Sequence, residues 1–304
     1  MDLRFPDYPF TKILGWSNSR YDLFCSCKRK YLYFYYPASF ANLETKIRNL
    51  KNLTTVPLEI GNLYHDMMEV FLERLQKSDS PVNEEKLFNF VDNLCGKKLP
   101  QKAFFENYYN TCAVDFKEIN ERVKFCLKNF LKSPVLDFLN SIEMPQRKSF
   151  LVEAGSKMNG KKYFGETRIN GLKAFCKMDF IFVKDEKIHI IDWKTGKKDE
   201  RKHAKQLLGY TLAAKGLNSE IKSEEIFPKS VYVSDVYDEL VLETNDKKLA
   251  EFAETVKAET EEMQSFCLNV EENIPLPVER FEKTSNENVC RMCEFRELCL
   301  LTAS

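Results

Sequence analysis

One short stretch of this sequence puts an acid and a base where an apolar strand should run. In KIHIIDWKTGK (187–197), the two-residue repeat of a β-strand sets Ile190, Asp192 and Lys194 on one face and His189, Ile191 and Trp193 on the other. Burying either charge alone is costly, so a partner or a metal ion is expected. Asp179 lies in the preceding apolar run, CKMDFIF, and a hairpin would bring it beside Asp192. Two carboxylates on neighbouring strands make a hard oxygen site suited to Mg²⁺ or Mn²⁺. Such an ion polarises a phosphodiester oxygen and lowers the pKa of a bound water. Lys194 would orient that water or offset charge developing on the phosphate. Taken alone, however, the pattern is better explained as an Asp–Lys surface pair at a strand end.

Other residues join it. Gly61-x-x-x-His65 falls in a helical stretch upstream, and Gln206-x-x-x-Tyr210 falls in one just after the lysine strand. Residues at i and i+4 share a helix face, so Gln206 and Tyr210 can point together at one site. His65 is one of three histidines in the chain. A single helical histidine is more often a packed or surface residue than a ligand, and His65 with Glu69 is not the HExxH arrangement of zinc proteases.

The chain carries ten cysteines. Cys95, Cys112, Cys126, Cys176 and Cys267 read as small buried hydrophobes. Cys290-x2-Cys293-x5-Cys299 lies in a polar, loop-like segment and supplies three thiolates where a tetrahedral site wants four.

The elements that must hold these groups follow from periodicity and punctuation. Residues 17–36 read as an aromatic-rich helix with Ser and Asn cap candidates. In it, Tyr31, Tyr33, Phe34, Tyr35 and Tyr36 could stack bases but fit helix packing better. Residues 59–76 read as a helix with Leu63, Met67, Val70 and Phe71 on one face, and 84–95 and 101–132 as further helices. From 149 the texture changes to short β-branched and aromatic runs, SFLVEAG, KKYFGETRI, LKAFCKMDFIFV and KIHIIDWK, with turns at Asn159-Gly160 and Asn170-Gly171. A helix over 201–215, strands over 229–234 and 239–244, a helix over 246–269 and a loop over 271–289 complete the expectation. GSKMNGKK (155–162) nearly spells a P-loop, but Lys162 lacks the hydroxyl that Mg²⁺ needs there, so no ATPase or helicase activity is expected.

Lys+Arg and Asp+Glu both total 46, so no overall basic signature marks a nucleic-acid binder, although a local basic groove escapes such a sum. Lys28, Arg29, Lys30, Lys197 and Lys198 are either phosphate contacts or solvated surface charges. No apolar run reaches membrane-spanning length and the N-terminus carries no signal-peptide pattern, so a cytoplasmic protein without a membrane partner is expected.

In order, G-x-x-x-H, an Asp in a strand, D-W-K-T-G-K and Q-x-x-x-Y resemble the RecB-like branch of the PD-(D/E)XK nuclease superfamily. The resemblance runs from about Ser17 to Cys299. It implies an α/β, restriction-endonuclease-like core, a central mixed sheet flanked by helices, with a helical N-terminal half and a C-terminal cysteine cluster. One nuclease domain over 1–304 is expected, with 61–147 largely helical, 149–245 the catalytic sheet core and 271–304 pairing with 17–36. By resemblance His65, Asp179, Asp192 and the Trp193 carbonyl bind the metal, Lys194 is the catalytic lysine, and Gln206 and Tyr210 support the site or contact the substrate strand. Lys177 stands where the family often has glycine.

A subset of that branch ends in C-x2-C-x5-C and draws a fourth cysteine from the N-terminal helix. By resemblance Cys27, Cys290, Cys293 and Cys299 hold a [4Fe–4S] cluster, with Cys25 the reserve for Cys27 and Zn²⁺ the competing occupant. The implied function is a Mg²⁺- or Mn²⁺-dependent exonuclease on single-stranded DNA or DNA ends, in repair, recombination or defence, CRISPR spacer acquisition included. The competing expectations are a nucleic-acid-binding subunit of a larger complex, active little by itself, and the same core acting on RNA.

Overall fold

A computed structural model describes residues 3, 6–152, 165–218 and 220–301 of the chain. The first helix, α1 (Asn18–Ser26), starts where the Ser17 hydroxyl accepts from the Arg20 amide. After one extended residue, Cys27, comes α2 (Lys28–Tyr35). The single helix expected over 17–36 is therefore two. Cys27 closes the first and caps the second, its sulfur accepting the Lys30 amide at 3.4 Å. Tyr31, Tyr33 and Tyr36 are buried, so the aromatic run packs.

Next come α3 (Glu44–Lys51), α4 (Val56–Lys77) and α5 (Glu84–Lys98). Leu63, Met67 and Phe71 of α4 are buried as expected, but Val70 is 44% exposed. The buried arc is rotated toward Tyr64, Met68 and Leu72, and Val70 falls just beyond its edge. The helix expected over 101–132 is also divided, into α6 (Phe105–Tyr108) and α7 (Phe116–Leu131). Asn110 at φ 52° ends the first, and the Asp115 side chain starts the second. α8 (Pro134–Asn140) closes the helical half.

The strands are shorter than the apolar runs that carry them: β1 (Leu151–Val152), β2 (Glu166–Ile169), β3 (Leu172–Phe175), β4 (Phe180–Lys184) and β5 (Lys187–Lys194). The run LKAFCKMDFIFV divides, since β3 pairs with β2 in a separate hairpin while β4 joins the main sheet. Asp179 stands one residue before β4 rather than inside a strand. The Asn159-Gly160 turn and the near P-loop lie outside the described residues. After α9 (Glu200–Leu217), β6 (Ile226–Tyr232) begins earlier than expected, and β7 (Asp238–Val241) ends earlier. The helix expected over 246–269 stops as α10 (Asp246–Gln264), and its last residues turn into β8 (Cys267–Asn269), paired with β9 (Ile274–Pro275) inside the expected loop. The chain closes with α11 (Glu287–Arg291) and α12 (Arg296–Leu301).

The main sheet runs β1-β4-β5-β6-β7, with β5 and β6 parallel and every other pair antiparallel. The β4–β5 hairpin turns on Asp185 and Glu186, at φ 51° and 60°, the paired left-handed conformation of a type I′ turn. Asn170 and Gly171, at φ 48° and 76°, turn the β2–β3 hairpin in the same way, where the sequence placed it. The alternation in β5 is real. Ile188 and Ile190 pack with α9 and α10, while Ile191 and Trp193 pack with α4 and α7 on the opposite face. The result is the mixed sheet flanked by helices that the motifs implied. A smaller core of Tyr33, Ile47, Leu50, Cys293, Phe295 and Leu298 joins the N-terminal helices to the C-terminal segment. Among the described residues no helix is long and apolar enough to cross a membrane.

Candidate active site

The site forms at the C-terminal end of β5, where three elements converge. Parallel pairing sets Asp192 opposite Ser230 of β6, and the β4–β5 hairpin brings Asp179 beside Trp193. The Trp193 amide donates to Asp179 Oδ2 at 2.8 Å. Asp192 is 1% exposed. Its Oδ2 lies 2.7 Å from Lys194 Nζ and accepts from the Ser230 hydroxyl at 3.0 Å, and Oδ1 accepts from the Tyr210 hydroxyl at 3.4 Å. On α9, Gln206 and Tyr210 lie one turn apart on one face. Gln206 Oε1 accepts from Lys194 at 2.9 Å, and its Nε2 donates to the Tyr210 oxygen at 2.6 Å.

From the other face of the sheet α4 delivers His65, with Nδ1 3.4 Å from Asp179 Oδ1 and Nε2 3.2 Å from the Trp193 carbonyl. A carbonyl only accepts, so Nε2 carries a proton. A Cβ on Gly61 would sit 3.4 Å from Thr195 Oγ1, so this glycine lies where α4 meets the turn after Lys194. His65 and Asp179 form one group, Asp192, Lys194, Gln206 and Tyr210 another, and the two meet at the Trp193 backbone. Among the described residues no three His, Cys, Asp or Glu side chains are grouped closely enough to enclose an ion as they stand. Each carboxylate is instead drawn onto protein donors, Asp192 to Lys194 and Ser230, and Asp179 to His65 and the Trp193 amide.

The two carboxylates are pushed apart electrostatically. Burial, with the charge of Asp179, raises Asp192 to about 6 against the opposing pull of Lys194. Burial would raise Asp179 too, but the His65 ring, Lys194 and the Trp193 amide outweigh it and hold that carboxyl below its ordinary range. Burial likewise disfavours charge on His65, and the neighbouring Asp179 reverses the balance, so its pKa lies above the ordinary histidine value. His189 and His203 are lowered to about 4, chiefly by burial and then by nearby lysines. Because the chain has only these three histidines, proton NMR of the metal-free protein should resolve three titrations. One is expected above the ordinary value and two at about 4, and a His65 midpoint below that of a free histidine would contradict the geometry.

Sequence reasoning missed Ser230, the hydroxyl that holds Asp192. Its signal was a polar residue inside the apolar strand IFPKSVYV. It also missed His203, whose Nδ1 lies 2.6 Å from the Tyr232 hydroxyl beside the network. Most of the lysines and arginines considered for phosphate are engaged within the protein. Lys28 pairs with Glu262, Lys30 with Glu294, and Lys198 with Asp238, while Arg29 donates to the Val278 and Phe281 carbonyls.

The cysteines of the two chain ends also meet. Cys27, Cys290, Cys293 and Cys299 line one cavity of about 520 Å³ walled by Tyr33 and Phe295. Cys25 is exposed and lies outside it. Burial pushes the Cys293 thiol up to about 12 and raises Cys299 as well. The Lys30–Glu294 pair at 2.6 Å and the Tyr109 hydroxyl on the Glu294 carbonyl at 2.7 Å hold the C-terminal segment against the helices. Of the cysteines read as small buried hydrophobes, Cys95, Cys126 and Cys176 are buried, but Cys112 is exposed and Cys267 half-buried, because both sit at turns or edges rather than on core faces.

A mixed sheet whose central strand ends in two carboxylates and a lysine, with a histidine and a glutamine–tyrosine pair beside them, is an arrangement suited to phosphodiester chemistry with a divalent ion. The chain belongs to the PD-(D/E)XK nuclease superfamily, whose family model matches residues 15–300. The CRISPR-associated exonuclease Cas4 of Methanocaldococcus jannaschii is 28% identical over 170 residues, which cover 56% of this chain and 87% of that protein. Among solved structures, the crystal structure of SSO0001 matches at 17% identity over 66% of this chain and 80% of its own, with a TM-score of 0.29, too loose to carry weight.

Proposed function

We propose that this protein is a divalent-metal-dependent DNA exonuclease acting on single strands or free ends. The observation that carries the reading is the meeting, at the Trp193 backbone, of Asp179 and His65 with Asp192, Lys194, Gln206 and Tyr210, in a chain of the nuclease superfamily. The donors fit Mg²⁺ or Mn²⁺: two carboxylates, the Trp193 carbonyl and the His65 ring are oxygen-rich and converge at the end of β5. When bound, the ion supplies Lewis acidity toward a phosphate oxygen and acidifies water.

The chain's own residues do the positioning. Gln206 and Asp192 fix the Lys194 ammonium from two sides, so that its charge faces the phosphate and stabilises the negative charge that grows there. Tyr210 and Ser230 fix the Asp192 carboxylate from two further directions. The similarity to an exonuclease supports removal of nucleotides from ends.

The cavity at the chain ends supports a [4Fe–4S] cluster held by Cys27, Cys290, Cys293 and Cys299, joining the N- and C-terminal segments around one nuclease domain. Four thiolates meeting in one cavity are the donor set such a cluster takes, and a zinc ion is the competing occupant.

Purified protein with Mn²⁺ should degrade end-labelled single-stranded DNA into short products, faster than matched RNA. Lys194→Ala should cut the rate by about 10²-fold or more with the circular dichroism unchanged. Cleavage surviving that substitution sinks the catalytic assignment, and DNA binding without cleavage under any divalent metal favours a binding subunit instead.

A further inference from the structure

Beside the network lies a cleft of about 430 Å³, bounded by the start of α1, the residues after β3 and the face of α9 that carries Gln206 and Tyr210. Lys177, Lys194 and Lys202 line it against a single carboxylate, Asp22. Its size falls within the roughly 300–1,000 Å³ of small-ligand pockets, the scale of one nucleotide. Lys177 reaches it because Gly165, at φ 73°, lets the facing backbone approach. A Cβ there would come within 2.8 Å of the Lys177 nitrogen.

His203 supplies a second kind of donor. The Asp199 amide donates to His203 Nδ1 at 3.4 Å, and an amide cannot accept, so Nδ1 is the unprotonated nitrogen of the neutral ring. The Tyr232 hydroxyl contacts the same nitrogen. The proton is then on Nε2, and His203 lines the cleft. Lys202, on the preceding residue of α9, is exposed and forms no ion pair among the described residues. A cationic group, a neutral N–H donor and the active-site ammonium line this one cleft, and side chains of these kinds are the ordinary donors to backbone phosphates.

We propose that this cleft is a one-nucleotide subsite flanking the scissile phosphate, in which Lys202 and the Nε2–H of His203 hold the neighbouring backbone phosphate and thereby favour a single strand. The proposal rests on the nuclease reading, and the experiment separates the two. Binding of a fluorescent oligothymidine is measured by anisotropy in EDTA over a range of salt, for the wild type, Lys202→Ala, His203→Gln and the exposed control Lys257→Ala on α10, with cleavage assayed in parallel. Lys202→Ala should weaken binding several-fold and reduce the slope of log affinity against log salt by about 0.7, the value of one single-strand phosphate contact. His203→Gln should weaken binding while leaving the slope unchanged, because a neutral donor releases no counterion. Lys257→Ala should bind as wild type. If the wild type cleaves single strands but Lys202→Ala keeps wild-type affinity and slope, the subsite is overturned and the nuclease reading stands. If the wild type neither binds nor cleaves the oligonucleotide, both fall.

Discussion

Replacing Asp192 by asparagine is expected to abolish DNA cleavage while making the metal-free protein more stable. The loss of activity follows from the site. An amide cannot serve as an anionic ligand for the ion, and losing several kcal/mol of charge stabilisation corresponds to about 10³-fold or more in rate. The gain in stability follows from burial. Asp192 is almost fully enclosed, and its pKa stands near 6 even with Lys194 at 2.7 Å. In the unfolded chain the same group titrates near ~3.9. Between these values the folded state holds a proton that the unfolded state has released, so stability falls as pH rises through that window and stays lower above it. At neutral pH the carboxylate therefore costs on the order of 3 kcal/mol. Asparagine avoids this cost and keeps the local partners. Its carbonyl can accept from Ser230 and Lys194 where Oδ2 does now, and its NH₂ can face Tyr210. Denaturant unfolding of both proteins at pH 4.5 and 7.5 reads the difference, which includes the change that losing the Asp192 charge makes in the titration of Asp179 and His65. The variant's advantage should appear at the higher pH and shrink at the lower. A variant less stable than wild type at pH 7.5 would mean that the carboxylate is a net structural group. Added Mn²⁺ should raise the melting temperature of the wild type and leave that of the variant nearly unmoved.

The same balance explains what could be read from the sequence. Strand alternation in KIHIIDWK was legible because both faces are buried, so a charge on either face had to have a reason. The i, i+4 spacing of Gln206 and Tyr210 was legible because α9 is regular. The breaks were not. Nothing in the helical pattern of 17–36 marks Cys27 as extended, since Cys is a weak helix breaker and the stop is imposed by contacts from far away, the Arg29 guanidinium on the Val278 and Phe281 carbonyls. The division of LKAFCKMDFIFV into strands of two sheets was hidden for a similar reason, because both halves are apolar and only Gly165, opposite Cys176 and Lys177, determines where the chain leaves the first hairpin. Ser230 was invisible because its meaning depends on register. Only the parallel pairing of β5 and β6 puts it opposite Asp192. Periodicity found the residues that act within one element, and long-range contacts decided those that act between elements.

Substituting Cys27, Cys290, Cys293 or Cys299 with serine is expected to strip iron from anaerobically purified protein and to free the C-terminal segment, whereas Cys25→Ser should do neither. The two N-terminal cysteines are two residues apart in sequence but stand in different places. Cys25 lies within α1 and is exposed, while Cys27 sits at the break between helices with its sulfur lining the shared cavity. The thiols gain little by themselves. Cys293 is held neutral by burial, so a ligand that takes its thiolate must release a proton and contribute its binding energy to the folded state. Without it the segment would rest on the small core around Tyr33 and Phe295, the Lys30–Glu294 pair, the Tyr109 hydrogen bond to the Glu294 carbonyl and more exposed pairs such as Lys46–Glu297, and exposed pairs are worth about 0–1 kcal/mol each. Several kcal/mol of local stability should therefore depend on the cofactor. Limited proteolysis of the serine variants should cut first between 278 and 301, with the sheet and α9 still protected. Iron and sulfide in equal amounts in the wild type, lost from all four variants, is the expected result. Equal loss from Cys25→Ser would reassign the fourth ligand. Colourless protein with stoichiometric zinc would overturn the iron–sulfur assignment while leaving Asp192 and Lys194 to be judged by the cleavage assay alone.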